Sequence, residues 1–63
     1  MNLREIEKQA CDIVGPLNIS IADKMQRVQK VLNLITTIYN VHGEEISPQE
    51  AYEILYFEEQ ENE

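Results

Sequence analysis

Three groups of residues in this 63-residue chain have the side-chain types that do chemistry. His42, with Glu44 and Glu45 just behind it, combines an imidazole with two carboxylates, the ingredients of a metal site or an acid–base pair. Their spacing fits no ligand pattern. A histidine in the last turn of a helix already has a role when protonated, since it stabilises the negative pole of the helix dipole. The acids of the second half do not form a calcium loop either, which needs oxygen ligands at alternate positions around a central glycine. Cys11 is the single cysteine and His42 the single histidine, which excludes an intrachain disulfide and a self-contained zinc site. Cys11 falls mid-helix, with Asp12 beside it and Lys8 one turn back, not in the electropositive setting of a reactive thiol. It reads as a small, half-buried apolar side chain.

The third group is Tyr52, Tyr56 and Phe57, with Glu50, Glu53 and Glu59 around them. Aromatic side chains are enriched at the energetic centres of interfaces, and an acidic rim would suit a basic, apolar partner. The plainer reading is that one tyrosine packs on a neighbouring helix while the others edge the core, rings buried and hydroxyls wet. No residue is assigned to catalysis, a cofactor or a metal, and the chain is not read as an enzyme. An enzyme needs a cleft plus several placed groups, which so short a chain rarely supplies.

Three helical segments must position these groups, near residues 3–14, 21–41 and 48–58. Asn2 is a good N-cap for the first, with Glu5 at the capping-box position. Leu3, Ile6, Ala10 and Ile13 then recur at helical spacing, and Gly15-Pro16 stops the segment, with Gly15 expected in the left-handed conformation. Ser20 and Asp23 open the second. Its apolar positions Ile21, Met25, Val28, Leu32, Ile35 and Tyr39 form an unbroken heptad seam. Beside that seam, in the latter half only, runs a second line of Val31, Leu34, Ile38 and Val41. Gly43 provides the stop. Ser47-Pro48-Gln49-Glu50 opens the third segment with a cap, a proline at the first helical position and a capping box. Ala51, Ile54 and Leu55 lie on one line of it, Tyr52 and Tyr56 on another.

Charge is polarised along the chain. Residues 1–30 hold all five basic side chains and four acids, while residues 31–63 hold eight acids and no base. The net charge of −7 argues against direct nucleic-acid binding and against an anionic membrane surface. No apolar run approaches the ~20 residues of a membrane span, and no apolar signal-peptide core is present, so a cytoplasmic location is expected. The length and the helical-hairpin start resemble those of small plasmid and phage regulators that dimerise into four-helix bundles. That likeness is one of architecture and carries no motif or functional residue.

These readings predict an all-α fold: a single helical domain over residues 1–63, with a long central helix, a frayed acidic tail at 59–63, and assembly as a helical-bundle homodimer. Leu32 and Ile35, mid-seam, are expected at the centre of the core. Val31, Leu34, Ile38 and Val41 are expected at the dimer interface. The basic start of the second helix (Lys24, Arg27, Lys30) would meet acids of a neighbouring subunit's third helix in an antiparallel pair. The expected function is that of a small acidic regulatory or adaptor protein working by protein–protein contact, without cofactor. Tyr52, Tyr56, Phe57, Glu53 and Glu59 would form its partner-binding surface. The alternative is a phage-like acidic decoy that occupies a basic nucleic-acid-binding surface of an enzyme or transcription protein. A third possibility is an enzyme accessory subunit or anti-sigma-like binder that folds fully only on its partner.

Overall fold

Each helix begins at a side-chain cap. Asn2 Oδ1 accepts from the Glu5 N–H at 3.2 Å and opens α1, Leu3–Val14. Ser20 Oγ accepts from the Asp23 N–H at 3.1 Å and opens α2, Ile21–His42. Ser47 Oγ accepts from the Glu50 N–H at 3.1 Å just ahead of α3, Pro48–Glu61. Each bond satisfies a backbone donor that the first helical turn would otherwise leave unpaired. The computed structural model describes the backbone of residues 1–61 and the side chains of residues 1–57, and the described residues contain no strand. The backbone of α3 continues through Glu61, past the end expected at residue 58. Residues 62–63 of the expected tail and the side chain of Glu59 lie outside the described residues.

The two glycine stops work differently. Gly43 takes the left-handed conformation (φ 69°, ψ 17°) and donates its N–H to the Tyr39 carbonyl at 2.9 Å. Glycine adopts that geometry without a Cβ penalty. Gly15 does not: at φ −51° and ψ −49° it stays right-handed, which corrects the expectation. The chain turns instead through a Leu17 N–H bond to the Val14 carbonyl at 3.0 Å. Lys24 Nζ donates to the Gly15 carbonyl at 2.7 Å, so a cation from α2 sits at the negative end of α1.

The three helices touch pairwise around one small core. Ala10 and Val14 enter it from α1, Val31 and Ile35 from α2, and Ala51 and Tyr52 from α3. Ile6, Ile13, Val28, Leu34, Ile46 and Tyr56 are among the half-buried side chains packed on it.

This packing corrects the reading of α2. Ile35 is buried, but its seam neighbour Leu32 is only half-buried and stands outside the core cluster. Ile21 and Met25 are 76% and 69% exposed, so the start of the seam faces water. The line expected to bind a second copy supplies the core instead. Val31 is fully buried within the chain and Leu34 packs against the core, so neither is offered to another molecule as assigned. Ile38 is half-buried, and Val41 is exposed. The physical reason is angular. The two lines are neighbours on one helix, and α1 and α3 cover the Val31 line, which leaves the far edge of the seam bare. Ile35→Ala should therefore cost ~2–5 kcal/mol in urea unfolding at low protein concentration, against ~0.5 kcal/mol or less for Val41→Ala. Equal costs at the two positions would contradict this core.

Candidate functional site

The aromatic group on α3 divides in two. Tyr52 is buried, and its hydroxyl accepts a hydrogen bond from Arg27 Nη1 at 2.7 Å. The Arg27 guanidinium also lies over the Tyr56 ring, 4.4 Å from its centroid. The two tyrosine rings stand 4.6 Å apart at a 35° tilt. Helical spacing explains the group: Tyr52 and Tyr56 are one turn apart, so both reach the same arginine. Arg27 belongs to the basic start of α2, and in this structure it serves α3 of its own chain. Stacked guanidinium and ring geometry of this kind stabilises by about 0.5–2 kcal/mol. Tyr52 is therefore a core residue and not part of an exposed binding patch. Tyr56 is half-buried beside it.

The rest of the third helix is different. Phe57 is 57% exposed, as is Ile54, and Leu55 is 38% exposed. Ile54 and Phe57 are three residues apart, one turn along the same flank. The inward face of α3 runs through Pro48, Ala51 and Tyr52, so Ile54 turns away from the core although it follows Ala51 at helical spacing. At Tyr56 the backbone leaves helical values (φ −122°, ψ 25°), kinking α3 beside this apolar group. Glu50 and Glu53 are exposed on the same helix. Ile54 and Leu55 were not anticipated as surface residues. The available signal was the spacing of Pro48, Ala51 and Tyr52, which defines an inward face that excludes Ile54.

The remaining candidates are dispersed. His42, Glu44 and Glu45 are all exposed where α2 ends, with His42 in the last turn. Cys11 is exposed on α1, not half-buried as expected. Among the described residues no three His, Cys, Asp or Glu side chains converge as metal ligands, and no pocket is formed. No described helix is long and apolar enough to cross a membrane. No protein-family model matches the chain, and no curated protein or solved structure matches it significantly.

Ile54 and Phe57, with Glu50 and Glu53, form the exposed outer flank of α3. The tyrosines behind it hold the fold. Tyr52→Ala should cost ~3–5 kcal/mol in chemical denaturation, as large aromatic truncations in cores do. Tyr52→Phe, which loses only the bond from Arg27, should cost about 1 kcal/mol. Wild-type stability in the Tyr52→Ala variant would place that ring outside the core.

Proposed function

We propose that this protein is a small acidic regulatory or adaptor protein that works in the cytoplasm by contact with another protein, without catalysis. The observation that carries the reading is the exposed apolar pair Ile54 and Phe57 midway along α3. Ile54 and Phe57 each present more than half of their surface to water. Large apolar side chains clustered at one place on a small domain mark association surfaces more often than scattered ones do. The partner that suits them is apolar at the centre and basic at the rim. Glu50 and Glu53 then steer the encounter, and burial of Phe57 and Ile54 holds the complex. Such a patch on a partner, rather than phosphate or lipid headgroups, is also what a chain of net charge −7 attracts.

One observation favours the acidic decoy as a second reading. Glu44, Glu45, Glu50 and Glu53 are all exposed, and no basic side chain follows Lys30. Salt separates the two readings, because exposed charge pairs are screened while apolar burial is not.

The test is capture of partners from the native cell by the full chain, compared with the Ile54→Ser/Phe57→Ala variant. Both side chains are exposed, so the variant should unfold at nearly the wild-type denaturant concentration. The adaptor reading expects a captured protein that the variant loses, with retention that falls only modestly between low and physiological salt. Retention by the variant, with binding that collapses as salt rises, would replace the adaptor reading with the decoy.

A further inference from the structure

A second apolar surface lies on α2, and its pattern matches itself. Ile21 and Met25 are 76% and 69% exposed, Tyr39 is 38% exposed, and Leu32 between them is half-buried. At ~100° per residue these four side chains fall within about 40° of one another, along a line roughly 27 Å long. The outward flank of that line is uncharged: Ala22, Gln29, Asn33, Thr36 and Asn40. Two of these amides pair with each other, Gln29 Nε2 donating to Asn33 Oδ1 at 3.1 Å.

Charge decides what can cover this line. Copies of a chain with net charge −7 repel one another, and they approach best through a face that carries no acid. The apolar group on α3 stands next to Glu50 and Glu53 and would set carboxylate against carboxylate. The α2 line does not. Its spacing is also twofold. Met25 and Tyr39 each lie seven residues from Leu32, one before it and one after it. An axis through Leu32 therefore sets Met25 against Tyr39 of the second copy and Leu32 against its own equivalent. The same register brings Ile21 level with Gly43 of the second copy, where a Cβ would meet nothing within 4 Å. An isologous contact needs this self-complementarity.

The ends fix the direction. In an antiparallel pair the segment that follows α2, with Glu44, comes to the end where α2 of the second copy begins, at its positive N-terminal pole. Lys24 is one turn further along that helix. A parallel pair would instead stack Glu44 and Glu45 on their equivalents. We propose that the exposed edge of α2, Ile21–Met25–Leu32–Tyr39, is the contact between two copies of this chain, antiparallel about a twofold axis at Leu32. The contact lies on a different helix from the proposed partner surface and does not depend on that reading.

Sedimentation equilibrium over about 1 µM to 1 mM tests the proposal. The mass of the wild type should rise from 7.4 kDa toward twice that value. Met25→Glu should remain at 7.4 kDa throughout, because the twofold axis introduces the charge twice. Val41→Glu, also at an exposed position but off the line, should associate like the wild type, as should Phe57→Ala. Direction is read by oxidation in a Cys11→Ser background. Met25→Cys/Tyr39→Cys should give a covalent dimer and Met25→Cys alone should not, since a disulfide needs the two backbones within about 7 Å. A wild type that stays at 7.4 kDa overturns the proposal, as does a Met25→Glu variant that still associates. A covalent dimer from Met25→Cys alone overturns the antiparallel arrangement.

Discussion

Ala10 and Ala51 are fully buried where their helices meet, and the fold depends on how little room they take. A methyl group at each position takes little room in the cluster that also buries Val31 and Ile35 of α2. A larger side chain at either position would separate the helices and open the centre. The core has no spare layer to absorb such a change, since chains of this size bury a smaller fraction of their surface than larger domains do. The few interactions around the core matter in proportion. Arg27 bonds the Tyr52 hydroxyl and covers the Tyr56 ring, so α3 is tied to α2 at one end by a side chain that is itself half-buried. Lys24 performs a similar service for α1 by reaching the Gly15 carbonyl.

A core built from two buried residues of each of three helices leaves apolar side chains outside it. Here they collect in two places with opposite electrostatic character. The edge of α2 is flanked on its outward side by uncharged residues, and the Ile54–Phe57 flank of α3 by carboxylates. Under the two proposals the first takes a like-charged copy and the second a basic partner. Of the basic residues at the start of α2, Lys24 bonds the end of α1 and Arg27 bonds Tyr52.

The helices and their starts were legible because caps are local. Asn2, Ser20 and Ser47 each bond a backbone N–H three residues on, and such contacts need no knowledge of the rest of the chain. The choice of buried face on α2 was not legible. The seam and the Val31 line are adjacent, both are apolar, and the positions of α1 and α3 decide which is covered. Hence Val31, expected at an interface, is core, and Leu32, expected at the centre of the core, is half-buried outside it. Tyr52 was misplaced because tyrosine fits either setting until its hydroxyl partner is known, and Arg27 lies far from it in the chain. Gly15 shows the same limit: glycine permits the left-handed turn without requiring it, and a lysine from the next helix satisfies the carbonyl instead. Of the candidate partner surface, Phe57 and Glu53 were readable and are exposed, while Ile54 was not, because it follows the buried Ala51 at helical spacing and only the packing of Tyr52 turns it outward.

The central claim is that the two leftover apolar surfaces have different occupants. An amide-resolved NMR dilution series on the isolated wild-type chain tests it directly, because every position reports separately. The account predicts concentration-dependent shifts centred on Met25, Leu32 and Tyr39, with residues 53–57 unmoved. Shifts centred on Ile54 and Phe57, or spectra invariant with concentration, would contradict it.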